Sequence, residues 1–360
     1  MAIIVGIVIF SVIILIHEFG HYFAAVKSGV AVEEFSLGMG AALFQKTYKG
    51  TTYSIRLFPV GGYCKMPGMD EESANENAFC NKSVGIRLII IVAGAFMNFV
   101  LAVLIFFLLN ISNGVPLSSV RQVIPNTPAE RAELAAGDKI VKINNAPVHT
   151  YNDFAYNLDK MTDKPFELTI IRDGKRLTKT IAAEQTTLEN GAQTYMIGIY
   201  RDFRTGLFEK NSEYAKTNIF QAGADSFWKL RFWTVATFEG LGRIFTGQFK
   251  LNDMGGAIRI VQTIGTVYEQ TAEETSGFKE FVAQLQTMAT FCAILSTNIG
   301  IFNVLPLPAL DGGRAVFLLI EWVRRKPLDP DKEGVVHFVG FVLLIAFSIV
   351  VAINDIRNII

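Results

Sequence analysis

The apolar positions of this chain gather into four long runs: Ala2 to about Val26, Leu88 to about Ile111, about Phe281 to Leu305, and Val335 to about Ile353. At ~1.5 Å per helical residue each run can cross a hydrocarbon layer of ~30 Å, so the pattern predicts four transmembrane helices. The uninterrupted part of the first, Ala2 to Ile16, has the length of a signal-peptide core, and Phe23-Ala24-Ala25 loosely matches a cleavage site. No Lys or Arg precedes it and helical composition continues past it, which favours a retained helix. Elsewhere the period changes to two. "TTYSIRLFPVGGYCKM", Thr51 to Met66, alternates after a Lys49-Gly50 turn and then becomes nearly apolar, as expected of a hairpin dipping into the membrane. Ile124 to Val148 reads as a short helix opened by Thr127-Pro128, a Gly137-Asp138 turn into a strand, and a hairpin at Asn144-Asn145. Phe166 to Ala183 adds two strands around Asp173-Gly174. Phe227 to Phe249 interleaves aromatics with Lys229, Arg231 and Arg243, which predicts a helix lying on a membrane surface or packing on the neighbouring domain.

Composition sharpens this picture. The chain is 51% apolar and 18% charged, too apolar for an ordinary soluble protein and too charged for a pure membrane bundle. Lys+Arg and Asp+Glu balance at 33 each, which removes any electrostatic reason to expect nucleic acid as a partner. The three cysteines, Cys64, Cys80 and Cys292, have neither disulfide-framework nor thiolate-metal spacing. Lys27, Lys46, Lys49, Arg56, Lys65, Lys82 and Arg87 lie between the first two spans, and Arg314, Arg324, Arg325, Lys326 and Lys332 between the last two. Positive loops face the cytosol, so both termini and the segment from Ser112 to about Lys279 are expected outside.

The first span contains "HEFGH", and ionisable groups in a membrane segment call for a functional partner. His17 and His21 at i and i+4 share a helix face, so both can reach one metal ion, with Glu18 beside them to act on water. A catalytic zinc takes three protein ligands, and "NVLPLPALDGGR" supplies Asp311 as the third. Pro306 and Pro308 must break the third span, and Gly312-Gly313 suggests a tight turn behind the aspartate. Both the first and third spans run from outside inward. His17 lies ~24 Å along its helix, so the two halves of the site fall on the cytosolic side together.

Val115 to Glu184 resembles a bacterial PDZ domain, apart from Glu133, where a glycine is usual. With "HEFGH" in the first span, "LDGG" after the third and "YSIRLFPVGGYCKMPG" and "STNIGIFNVLPLPALDGG" between, the chain resembles the site-2 protease family in its bacterial, single-PDZ form. Ala41 and Ala95 depart from the family's usual prolines. The resemblance implies a multi-pass α-helical membrane protein with four transmembrane helices, a membrane-associated β-hairpin and an inserted extracytoplasmic PDZ domain. Its expected divisions are 1–111, the first two helices and hairpin loop; 115–200, the PDZ domain; 201–280, a membrane-surface connector; and 281–360, the last two helices. It further implies one Zn2+ per chain on His17, His21 and Asp311, Glu18 as general base, and substrate contacts from Asn303, Gly61 and Gly62. Gly94 and Asn98 match the family's GxxxN element.

The activity so implied is intramembrane cleavage of single-span proteins in a bacterial cell membrane. Substrates would be already trimmed outside by another protease, and would include anti-sigma factors and signal-peptide remnants. The hairpin edge is expected to pair with the unwound substrate as an added strand. Two other readings stand beside this one: a membrane zincin with a glutamate as third ligand, and a non-catalytic scaffold presenting the PDZ domain. His149 and His337 are expected to be structural or surface residues.

Overall fold

The computed structural model describes residues 2–69, 73–160, 164–187, 193–209, 213–247, 262, 263, 265, 266 and 277–359. Its elements are α1 (Ala2–Lys27), β1 (Glu34–Tyr48), β2 (Thr51–Lys65), α2 (Val84–Asn113), β3 (Val115–Val123), α3 (Pro128–Arg131), β4 (Lys139–Ile143), β5 (Ala146–Pro147) and α4 (Tyr151–Asp159). There follow β6 (Phe166–Arg172), β7 (Lys175–Ile181), β8 (Glu184–Thr187), β9 (Gln193–Met196), β10 (Ile199–Arg204), α5 (Ile219–Phe245), α6 (Phe278–Val304), α7 (Asp311–Arg324) and α8 (Pro330–Ile359). Among the described residues, four helical stretches are long and apolar enough to cross a membrane: Ile4–Lys27, Val84–Asn113, Phe278–Val304 and Lys332–Arg357. The chain divides into two compact units, Met1–Ile105 with Trp233–Ile360, and Phe106–Phe232.

In the first unit, Ile9 and Ile13 of α1 pack with Met288, Cys292 and Leu295 of α6. Glycine sets the spacing between α1 and α2: a Cβ on Gly20 would lie 2.3 Å from the Ala93 carbonyl oxygen, so no larger residue permits this approach. β1 and β2 join through Lys49-Gly50, both at positive φ (49° and 85°), the signature of a two-residue hairpin turn. The pairing is more than a simple ladder. Glu34 to Leu37 pair on one side with Thr52 to Ile55, and on the other with Lys65 to Gly62. Gly62 to Lys65 therefore form an edge run, with no second strand beyond it among the described residues. Tyr22 of α1 anchors the sheet, its hydroxyl 2.6 Å from that of Tyr53, with Phe35 packed against both rings.

The expectation at Gly312-Gly313 needs correction. α6 stops at Val304 because Pro306 and Pro308 cannot continue it, but the two glycines lie in the first turn of a new helix, α7, and not in a tight turn. Neither has positive φ. They are small because a Cβ would stand 2.0 Å from the Leu305 carbonyl oxygen at Gly312 and 2.5 Å from that of Leu307 at Gly313. The left-handed residue of this connection is Ala309, φ 72°.

In the second unit, five strands run in the order β10-β3-β4-β6-β7, with β5 against β4. Ile140, Ile143, Leu168, Ile170 and Ile197 form the centre of its core with Phe154 of α4. Thr150 and Asp153 close a capping box at the start of α4. Glu133, the departure noted in the sequence, adopts φ 55°, which explains why glycine suits the position; its carboxylate is 2.6 Å from Lys179 Nζ. Asp138 is buried and doubly bonded by Arg172, at 2.6 and 2.7 Å, so its carboxyl is held below the usual range. The sheet continues past residue 200, to Arg204.

Within this unit the start of α5 packs on the sheet domain rather than lying free. The ring of Trp228 stacks on His149 at 3.8 Å and Arg231 reaches Asp153 at 3.4 Å. Burial pushes the Lys229 ammonium down to about 8, and its Nζ donates to Asn110 Oδ1 at 2.5 Å. The remainder of the aromatic and basic stretch, Gln248-Phe249, and most of the connector beyond it lie outside the described residues.

Candidate metal centre

His17, Glu18 and His21 follow one another down α1, where helical spacing puts the two imidazoles on one face. That face meets α2 at Gly94. A Cβ there would lie 2.4 Å from His21 Nε2 and 2.7 Å from His17 Cε1, so the histidines occupy the space a side chain would take. Asp311 enters from the first turn of α7, brought in by the break after α6. His17 Nε2 and His21 Nε2 stand 3.0 and 3.2 Å from Asp311 Oδ2, and 3.2 Å from each other. These three are the one group of metal-competent side chains found among the described residues.

The protons around the triad follow from its neighbours. His21 Nδ1 is 2.9 Å from the Ile90 carbonyl oxygen, which can only accept, so Nδ1 carries the proton and Nε2 presents a lone pair. His17 Nδ1 faces the Asn98 amide at 3.3 Å, while Asn98 Oδ1 is buried without a partner. Amide oxygen and nitrogen are interchangeable in shape. Turned over, Asn98 Oδ1 accepts from His17 Nδ1–H, which satisfies the orphaned oxygen and leaves His17 Nε2 as a second lone pair. Asp311 Oδ2 is likewise buried with no hydrogen-bond donor. With both imidazoles neutral and protonated on Nδ1, three acceptor atoms thus converge, an arrangement that a bound cation would stabilise. Their mutual separations are close to the edge of about 3.3 Å that tetrahedral ligands at 2.0–2.1 Å from zinc require. The residues fit the ion.

The Asn98 backbone is held in place, its main-chain carbonyl oxygen accepting from Ser296 Oγ at 2.8 Å. Glu18 is half-buried, within electrostatic reach of His21, His17 and Asp311. Gly62 of the edge run comes up against it: a Cβ there would be 3.5 Å from Glu18 Cγ and 2.7 Å from the Ser36 carbonyl oxygen. Gly61, at φ 92°, contacts Met39 instead. Asn303 is half-buried on the last turn of α6 and shares no hydrogen bond with the triad among the described residues. The structure therefore brings together His17, Glu18, His21, Asp311 and Gly62. It adds Ile90, whose carbonyl no sequence pattern marks. His337, read as structural or surface, proves to bond the loop that carries Asp311. Its position at an ionisable site inside an apolar run was the available signal.

A helical bundle of apolar spans holding two buried histidines and a half-buried aspartate beside a second carboxylate defines a membrane metallopeptidase site. The chain belongs to peptidase family M50, whose family model matches residues 5–347. It is similar to two clostridial proteins named as zinc metalloproteases. The one from Clostridium perfringens is 36% identical over 99% of this chain and 98% of the relative, and the one from Clostridium acetobutylicum is 34% identical over 98% and 97%. The zinc metalloprotease RasP of Geobacillus kaustophilus is 28% identical over 98% of this chain and 97% of its own. Among solved structures, the PDZ domain of an SdrC-like protein of Listeria monocytogenes is 22% identical, covering 25% of this chain and 87% of that one. Its TM-score of 0.20 is too low to support a statement about fold.

Proposed function

We propose that this protein is a zinc-dependent endopeptidase that cuts within the transmembrane segments of single-span proteins. The observation that carries the reading is the convergence of His17 Nε2, His21 Nε2 and Asp311 Oδ2 at 3.0–3.2 Å. Held by these groups, a zinc ion supplies Lewis-acid polarisation of the scissile carbonyl and activation of water. Ile90 and Asn98 fix the imidazole tautomers that permit binding. Glu18 takes the proton of the attacking water and delivers it to the leaving amine. A substrate helix hides its carbonyls, so it must unwind first, and in hydrocarbon the exposed amides need new partners. The run Gly62 to Lys65 lies next to Glu18, which the Cys64 backbone already bonds, and it is the segment on which an unwound substrate would pair, with Gly62 keeping the approach close and Gly61 allowing the bend before it. Asn303 is assigned to substrate backbone at the end of α6.

The same reading assigns residues 1–111 and 281–360 to the membrane core and 115–200, extended by β10 to Arg204, to a PDZ domain, with the stretch from there to 280 as a connector. The protein resides in the bacterial cell membrane with both termini and the PDZ domain outside and the metal centre towards the cytosol, as the Lys and Arg of the loops support. Substrates are pre-cleaved single-span proteins, such as anti-sigma factors, and signal-peptide remnants. The test is cleavage of a trimmed single-span substrate by purified wild type and Glu18→Gln, with products located by mass spectrometry. A cut inside the span, made by wild type and absent with the variant while both retain zinc, is expected. Equal cutting by both removes Glu18 from the chemistry.

A further inference from the structure

The loop that delivers Asp311 runs from Leu305 to Leu310, and two of its residues, Pro306 and Pro308, have no N–H to offer. Leu307 N–H donates to the Leu305 carbonyl at 2.7 Å and Leu310 N–H to that of Leu307 at 3.2 Å. This leaves Ala309, which is left-handed at φ 72°, a conformation strained for a residue with a Cβ. Its N–H donates to His337 Nδ1 on α8 at 2.9 Å. This acceptor comes from α8, which carries the fourth apolar span. One turn further along α8, Gly340 meets the same loop: a Cβ there would stand 2.2 Å from Pro308 Cβ. On the opposite side, Gly313 of α7 approaches the Leu307 carbonyl and Pro308. The imidazole is itself oriented by Phe317 of α7, ring centroids 5.5 Å apart and edge to face. Its other nitrogen, Nε2, lies 3.7 Å from Glu333 Oε1.

We propose that His337 is a positioning residue for the metal centre: by accepting the Ala309 N–H through Nδ1, it locks the left-handed turn that sets Asp311 against His17 and His21. The inference rests on the zinc-peptidase reading above. It assigns the fourth span a role in the site although that span supplies no ligand. An acceptor is needed at the Nδ1 position, so Nδ1 is unprotonated and Nε2 carries the proton. Asn is the discriminating replacement, since its Oδ1 occupies nearly the place of Nδ1, whereas Phe keeps the ring and removes the acceptor.

The experiment compares wild type, His337→Asn and His337→Phe as full-length purified proteins in lipid nanodiscs. Zinc retention against a chelator and kcat/KM on a trimmed single-span substrate are measured, with thermal unfolding as a check on folding. His337→Phe is expected to lose zinc more readily and to fall roughly 10- to 100-fold in kcat/KM, the usual cost of losing a partner behind a metal ligand. His337→Asn is expected to stay near wild type in both. Equal zinc retention and cleavage in Phe and wild type, or equal loss in Phe and Asn, overturns the proposal. Should the Phe variant not fold, nitrogen-15 spectra of wild-type histidines decide: an unprotonated Nδ1 on His337 supports it and a protonated one refutes it. If wild type itself neither retains zinc nor differs from Glu18→Gln, the functional reading fails, a result distinct from failure of the His337 assignment.

Discussion

Replacement of Gly94 by Ala tests the geometry of the metal centre with a single methyl group. The added Cβ would sit 2.4 Å from His21 Nε2 and 2.7 Å from both His17 Cε1 and His21 Cε1. Ordinary contacts of this kind are about 3.5 Å, so the imidazoles or the α1–α2 spacing must yield by about 1 Å. Retreat of α1 would instead open the close α1–α2 contact at Gly20, where there is no room for a Cβ against the Ala93 carbonyl and the Gly94 Cα. A displacement of ~1 Å in a catalytic constellation costs on the order of 100-fold in rate, or about 2.7 kcal/mol of barrier. Overpacking of a tight contact costs ~1–3 kcal/mol of stability besides. Gly94→Ala is therefore expected to bind zinc less than stoichiometrically and to lose about 100-fold in kcat/KM, while α2, a good place for alanine, remains helical. Gly85→Ala on the same helix is the control, since nothing lies within 4 Å of its Cβ position. Metal content by elemental mass spectrometry and cleavage of a single-span substrate provide the two readings. Full zinc occupancy and cleavage within twofold of wild type in Gly94→Ala would refute the claim that the histidines fill the glycine's space.

Three further outcomes follow from other parts of the molecule. Gly312→Ala should abolish cleavage and zinc retention although its backbone suits any residue, because the Cβ would fall 2.0 Å from the Leu305 carbonyl oxygen; normal activity would show that the α6–α7 contact is loose. Arg172→Leu strands the buried Asp138 and should destabilise the sheet domain by roughly 3 kcal/mol at neutral pH. The Asp138 pKa is depressed in the folded state, so the wild type's advantage is present above the unfolded value of ~3.9 and fades as pH falls below it; thermal unfolding across pH 2 to 7 should show the two proteins converging in acid. Lys229, pushed down to about 8, binds fewer protons folded than unfolded between pH 8 and ~10.4, so stability should rise with pH across that window. Lys229→Met should remove the rise, and an unchanged pH slope would show that the ammonium is not desolvated there.

Much of this architecture was legible without coordinates. Apolar runs long enough to span a bilayer announce themselves by composition, and the four helices fall close to their expected bounds. Turn chemistry was equally plain at Lys49-Gly50 and Asp173-Gly174, where both residues of each pair have positive φ. His17 and His21 were assigned to one face because four residues make about one helical turn. Reading Gly312-Gly313 as a turn failed because glycine has two uses, conformational freedom and absence of a side chain, and only contacts tell which applies. α7 was lost by that confusion, since a pair of glycines in its first turn masked the apolar period that follows.

The sequence by itself determined the elements and the chemistry available: four spans, a hairpin, an inserted sheet domain, and two histidines, a glutamate and an aspartate in apolar surroundings. These are local properties, fixed by hydrophobic period, turn residues and helical spacing within a few residues of each position. Tertiary structure decided which acceptors meet and in what protonation state. That depends on contacts between residues far apart in the chain, such as Ile90 and Asn98 with the histidines, Ser296 with Asn98, and His337 with Ala309. A hydrogen bond to a backbone carbonyl or amide leaves no trace in side-chain identity. The positioning of Asp311 by the fourth span could therefore be seen only once the chain was folded.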